Sequence, residues 1–216
     1  MDRAYFYEWP ISRWSLKLKI AIGITGASGS IYADKLIKAL EPKVERIYVM
    51  FTKAGSQVCQ HELASTPDSL LYKIVSGKAS LNKDSKIKVF APDNLFAPIA
   101  SGSSAPDRMV VVPCSMGTLS RIAHGNSGNL IERSADVMMK QRKPLILVPR
   151  EAPLNSIHLE NMLKLSKNQV VILPPVPGFY HQPTSMEDLV DFVTGKILDS
   201  LEIGHKLYPR WNEKSI

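Results

Sequence analysis

Only two cysteines, Cys59 and Cys114, occur in the 216 residues. Two isolated thiols build no disulfide framework and show no metal-ligand spacing, so the fold rests on burial alone, in keeping with a reducing cytoplasm. The five histidines, His61, His124, His158, His181 and His205, also lack paired ligand spacing, and no bound metal is expected. No apolar run approaches the roughly 20 residues of a membrane span. Repeats and low-complexity tracts are missing too, which excludes solenoids and disordered arrays.

What remains is an ordinary globular composition, with 44% apolar and 22% charged residues. A chain of this length fits one domain and buries roughly 70% of its unfolded surface. The net charge of +7 favours anionic ligands: nucleic acid, an anionic membrane or small phosphates. The charges are dispersed, which weakens the first two. Base and aromatic mix densely only at Arg3, Tyr5, Phe6, Tyr7, Trp9, Arg13, Trp14, Lys17 and Lys19. Asp2, Glu8 and Pro10 interrupt a transit-peptide pattern there, and a secretory apolar core is missing. Residues 1–18 therefore read as an extension packing on a neighbour, and residues 19–216 as the domain.

That domain opens on an apolar run into Gly26-Ala27-Ser28-Gly29-Ser30, followed by Ile31, Leu36, Ile37 and Leu40 at helical spacing. The pattern is strand, tight turn, helix. Glycines allow close backbone approach, and the amides of a helix start attract an anion, so a phosphate-bearing cofactor is the natural occupant. The spacing is neither a dinucleotide fingerprint nor a P-loop, and a plain joining turn fits equally. Further strands are expected at residues 46–51, 87–90, 109–112 (stopped by Pro113), 145–148 and 170–173. Helices are expected at 55–63, 115–123, 130–142, 156–167 and from a Thr184/Glu187 capping box to about 201. Residues 66–94 are otherwise polar and weakly patterned. Short apolar strands alternating with helices imply a parallel sheet covered on both faces.

Ligands of such sheets bind beyond the carboxyl ends of the strands. Gly26 to Ser28, Thr52, Ser115 to Thr118, Arg150-Glu151 and Tyr180 all follow apolar runs. They would converge as hydroxyls, amides, a guanidinium, a carboxylate and a phenol around a polar, phosphate-bearing ligand. Each also has a bland reading: helix capping for Ser115 and Thr118, a surface pair for Arg150-Glu151, packing for Tyr180. Arg133 and Lys140, seven residues apart on one helix, share a face that either meets a phosphate or is merely solvated. Ser28 lies at a strand-to-helix turn, but residue 30 is serine, so the hydrolase elbow Gly-x-Ser-x-Gly fails. Cys114 has no evident base and reads as a small buried residue.

Five segments occur together, in order. They are Gly26-Ala27-Ser28-Gly29, Pro113-Cys114-Ser115-Met116-Gly117-Thr118, Asn129-Leu130-Ile131-Glu132-Arg133-Ser134-Ala135-Asp136-Val137, Arg150-Glu151-Ala152-Pro153-Leu154 and Pro174-Pro175-Val176-Pro177-Gly178-Phe179-Tyr180. Jointly they resemble the bacterial flavin prenyltransferases. The resemblance implies a cytoplasmic, flavodoxin-like α/β homo-oligomer, typically a dodecamer, that joins a dimethylallyl group from dimethylallyl phosphate to reduced FMN. Its product serves a partner decarboxylase, often in quinone biosynthesis. By motif, Gly26, Ala27, Ser28, Thr52, Ser115, Met116, Gly117, Thr118 and Arg150 would contact FMN. Ser103, Lys140, Tyr180 and Lys196 would hold the allylic phosphate, with Arg133 reaching in from a neighbouring subunit. Ser28 would act in catalysis, Glu62 and Glu151 would handle protons, and Trp211 would be an aromatic lid. Thr52 replaces the usual serine and keeps the hydroxyl. Lys196 replaces the usual arginine and loses its two-pronged grip on phosphate. Three rivals are carried beside this reading: an FMN-dependent cysteine decarboxylase, a flavin-binding accessory subunit without catalysis, and a nucleic-acid binder using the basic arm.

Overall fold

The computed structural model describes residues 17–66, 68–82 and 84–210. Trp211 and residues 1–16 of the extension therefore lie outside the described residues.

Six parallel strands form one sheet: β1 (Lys19–Ile24), β2 (Arg46–Phe51), β3 (Ile87–Phe90), β4 (Arg108–Cys114), β5 (Leu145–Pro149) and β6 (Val171–Ile172). Their spatial order is β3-β2-β1-β4-β5-β6. Set aside the four-residue edge strand β3 and the remaining five follow the flavodoxin-like order 2-1-3-4-5, with the same reversal of winding between β1 and β4. Side chains along the strands alternate between two cores. Ile20, Ile22, Ile24, Val110, Val112, Ile146 and Val148 pack with α1 (Ser30–Leu40), α3 (Leu70–Val75) and α7 (Met186–Ser200). Ala21, Met109, Val111, Leu145 and Leu147 pack with α4 (Met116–Ala123), α5 (Leu130–Lys140) and α6 (Ser156–Lys167). This assignment of helices to opposite faces decides which side chains can meet.

The remaining helix, α2 (Lys53–Glu62), starts at the end of β2, and its last residue meets the start of α1. It therefore lies across the carboxyl edge of the sheet. Gly55 permits this, because a Cβ there would stand 2.3 Å from the Ile24 carbonyl oxygen.

Four sequence expectations change. β4 runs through Pro113 to Cys114, with its register to β5 shifting between Val111 and Cys114. The Pro113 carbonyl still works, accepting from the Thr25 amide (3.2 Å) and hydroxyl (2.8 Å). Helix α3 arises in the weakly patterned stretch because Ser69 caps it and the buried Asp34 carboxylate accepts from Ser69 Oγ (2.7 Å) and Leu71 N (3.1 Å). Strand β6 is only two residues long. Finally, α7 is capped by Ser185 and Asp188 rather than Thr184 and Glu187. Glu187 is engaged instead by Lys35 of α1, and Thr184 joins the cap only as a donor to Asp188.

Candidate functional site

At the reversal between β1 and β4, Thr25 binds two loops together. Its buried hydroxyl donates to the Pro113 carbonyl and accepts from the Ser115 amide at 2.7 Å, so the loop after β1 and the loop after β4 are held side by side. Ser115 caps α4, accepting from the Thr118 amide (3.4 Å) and lying 3.1 Å from the Thr118 hydroxyl. On the next strand out, Thr52 caps α2 by accepting from Gly55 N at 2.9 Å. Beyond β4, the Arg150 amide donates to the Cys114 carbonyl, and the Arg150 and Glu151 side chains are exposed at the end of β5. Gly26 to Ser28, Thr52, Ser115 to Thr118 and Arg150-Glu151 thus stand on one edge, as expected.

The helix start at α1 is used differently from the expectation. Glu62 accepts from Gly29 N at 3.1 Å and from Ser30 N at 2.8 Å, so a carboxylate of this chain already fills the anion position there. Gly29 makes the turn with φ 120°, a left-handed conformation that suits glycine. Partial burial would raise the Glu62 pKa, but hydrogen bonds from the Ser28 hydroxyl and the Ser30 and Gly29 amides outweigh it and hold the carboxyl below its ordinary value. A phosphate at this edge must therefore look to the loops after β2, β4 and β5.

Those loops carry one cation that sequence reasoning missed. Arg121, one helical turn after Thr118, donates to the Thr118 hydroxyl at 3.3 Å and to the fully buried Glu132 carboxylate. Glu132 also accepts from Gly128 N (2.9 Å) and Asn129 Nδ2 (2.8 Å), which fixes the guanidinium beside Gly117 and Thr118. The i, i+3 spacing on α4 was the available signal. Cys114, fully buried, has its thiol pushed up to about 12 by desolvation, which leaves it unfit as a nucleophile. Among the described residues no His, Cys, Asp or Glu cluster could hold a metal ion.

The residues expected to hold the allylic phosphate fall into two separate groups. Tyr180 lies edge-on to Phe192 of α7, with ring centroids 5.6 Å apart, and Lys196 places its ammonium 5.5 Å from the same ring. Both belong to the α1/α7 side, where Lys196 lines a cavity of about 290 Å³ with Leu173, Pro174, Phe192 and Asp199. Lys140 is the last residue of α5, five residues before β5 begins, and so stands at the amino edge of the sheet on the opposite face. There it lines a cavity of about 320 Å³ with Gly125, Met139 and Leu165. Arg133 donates to Ala100 O and pairs with Asp136 at 3.1 Å, and Ser103, in the turn before β4, faces Ser101. A single chain does not bring Ser103, Arg133 and Lys140 to Tyr180 and Lys196, because the sheet separates them.

A family model described as Flavoprotein matches residues 10–198. The chain is 50% identical over 193 residues to the flavin prenyltransferase UbiX of Halalkalibacterium halodurans, covering 89% of this chain and 93% of that protein. The chain belongs to the flavin prenyltransferase family. A family member, AnUbiX, solved in complex with FMN and dimethylallyl pyrophosphate, superposes with a TM-score of 0.80 at 37% identity, covering 92% of this chain and all of that one. A dodecameric FMN-dependent UbiX-like decarboxylase from Escherichia coli O157:H7 superposes with a TM-score of 0.79, also at 37% identity, covering 90% of this chain and all of that one. Within the family, the two departures expected from sequence have defined surroundings: Thr52 is a helix cap and Lys196 sits over aromatic rings.

Proposed function

We propose that this protein is a flavin prenyltransferase that joins a dimethylallyl group from an allylic phosphate to reduced FMN. The observation carrying this reading is the alignment of Gly26 to Ser28, Thr52, Ser115 to Thr118 and Arg150 along one sheet edge, in a chain 50% identical to a flavin prenyltransferase. The donor set fits FMN. Hydroxyls, helix-start amides and the Arg150 guanidinium suit a phosphate, and Arg121 adds a second cation beside Thr118. Both carboxylates nearby accept from backbone amides, Glu62 from Gly29 and Ser30 and Glu151 from Ala152.

Bound FMN, in its reduced form, supplies the electron-rich ring atoms that accept the five-carbon group. The chain's own residues position the donor and manage charge. Lys196 and Tyr180 on one face, and Lys140, Arg133 and Ser103 on the other, carry the charge and hydrogen bonds that a departing phosphate needs. Aromatic surface near an allyl cation stabilises it through the ring quadrupole. Glu151, exposed beside Arg150, is proposed to take a proton, and Glu62 holds Ser28 and the turn in register. Trp211 as lid and residues 1–18 as a separate extension stay part of the same proposal.

Because the two phosphate-binding groups lie on opposite faces, the complete site needs a second copy of the chain. A homo-oligomer follows, with a dodecamer as the expected form and the prenylated flavin passing to a decarboxylase, in the cytoplasm. Among the described residues no helix is long and apolar enough to cross a membrane. The test is anaerobic incubation of the purified protein with reduced FMN and dimethylallyl phosphate, then mass spectrometry of the released flavin. Gain of one five-carbon unit is expected. Bound but unmodified flavin with both the phosphate and the diphosphate donors would favour the accessory-subunit reading, and a protein that binds no flavin would refute the proposal.

A further inference from the structure

Lys196 stands where the family resemblance expects arginine, and its surroundings show how a lysine is held there. The ammonium lies 5.4 Å from the Tyr208 ring centroid and 5.5 Å from that of Phe192. Among the described residues no carboxylate comes within ion-pair distance of it, although Asp199 lines the same cavity. Asp199 is committed elsewhere. It accepts from Tyr208 OH (2.8 Å), from both terminal nitrogens of Arg210 (2.7 Å each) and from His205 Nε2 (3.0 Å). Those bonds pin the Tyr208 phenol, and with it the ring, against α7. Gly195 makes room, since a Cβ there would stand 2.4 Å from Tyr208 Cε1.

A neutral ring holds a cation differently from a carboxylate. The ring faces attract the ammonium without cancelling its charge, and the N–H groups turned away from them stay available to an anion. An acidic partner would compete with the incoming phosphate for the same donors. We infer that Tyr208 is a positioning residue for the allylic donor: its ring, fixed by Asp199, presents the Lys196 ammonium to the donor's phosphate. This restores by aromatic packing part of the geometry that a guanidinium fork would have supplied. The inference rests on the prenyltransferase reading.

The experiment measures KM for dimethylallyl phosphate and kcat for prenyl transfer in the wild-type oligomer, Tyr208→Phe, Tyr208→Leu, Lys196→Met and the double variant Lys196→Met with Tyr208→Leu. Losing one ring face is expected to raise KM about two- to five-fold with kcat little changed, because exposed cation–π contacts are worth about 0.5–1 kcal/mol. Tyr208→Phe keeps the ring face but gives up the hydrogen bond to Asp199 that pins it, so its KM should rise by less than that of Tyr208→Leu. Removing the ammonium should raise KM about ten-fold or more, the scale of a hydrogen bond to a charged group. In the Lys196→Met background, Tyr208→Leu should add nothing, since Tyr208 acts through the ammonium. Flavin retention and melting temperature verify folding, and Tyr208→Met replaces Tyr208→Leu if the latter does not fold. Equal KM effects in both backgrounds, or a Tyr208→Phe as impaired as Tyr208→Leu, would overturn the inference while leaving prenyl transfer standing. A wild-type protein that binds flavin and transfers no prenyl group would overturn the functional reading instead.

Discussion

Replacing Glu62 by glutamine should destabilise the fold in a way that depends on pH. The carboxylate takes the Gly29 and Ser30 amides at the start of α1, where the helix dipole also favours negative charge. Glutamine keeps the shape and one acceptor oxygen but loses the charge. Two charge-assisted bonds, worth about 1.5–3 kcal/mol each, become neutral ones worth about 0.5–1.5. Partial exposure screens some of that difference, leaving an expected loss of about 1–2 kcal/mol. For a domain of this size each kcal/mol moves Tm by about 2–4 °C, so a fall of roughly 2–8 °C is expected at pH 7. The folded-state pKa of Glu62 is held below its unfolded value. Its contribution is therefore complete above the ordinary glutamate value of about 4.3 and is lost as pH falls through the lower folded value. The gap in Tm between wild type and Glu62→Gln should thus close on acidification. Calorimetry of flavin-free protein between pH 7 and pH 3 reads this without ligand linkage. A gap absent at pH 7, or constant across the whole range, would refute the capping role.

Co-expressing Lys140→Ala with Lys196→Ala should raise prenyl transfer, at donor concentrations below KM, above that of either variant alone, because random assortment leaves about a quarter of the inter-subunit sites with both lysines. Assayed by flavin mass spectrometry, a mixture no more active than the single variants would place both lysines in one subunit's site. Gly55→Ala drives a Cβ into the Ile24 carbonyl. It should cost about 1–3 kcal/mol, read as lowered Tm together with weakened flavin retention, because α2 carries Thr52 as its cap. Asp199→Asn should loosen residues 203–210, measured as faster proteolysis there. Burial would raise the Asp199 pKa, but hydrogen bonds from His205, Arg210 and Tyr208 hold the carboxylate well below its usual range. Wild type should therefore keep that protection until the pH is far below the ordinary aspartate value of about 3.9.

Much of this molecule was legible from local pattern. The strands at 19–24 and 46–51 and the helix bounded by Ser156 and Lys167 follow from apolar runs and spacing, and observation matches expectation almost to the residue. The loops at the ends of β1, β2, β4 and β5 were readable because a parallel sheet of this winding places them on one edge whatever the packing. Where local signals were weak or duplicated, contacts between distant residues decided. Helix α3 depends on Asp34, some 35 residues away, and the choice of Asp188 over Glu187 as capping partner depends on Lys35 drawing Glu187 to α1.

The site itself divides along the same line. Sequence alone nominated most of the residues proposed to carry the chemistry, because residue type and motif order need no coordinates. Only the tertiary structure revealed that Glu62 fills the anion position at α1, since that required α2 to lie across the sheet edge. It alone separated Lys140 from Lys196, because helical periodicity says which residues share a face of one helix and nothing about which face of the sheet that helix covers. The alternation of side chains along β1, β4 and β5 put α5 on one face and α7 on the other, and the sheet between them keeps their lysines apart within a single chain.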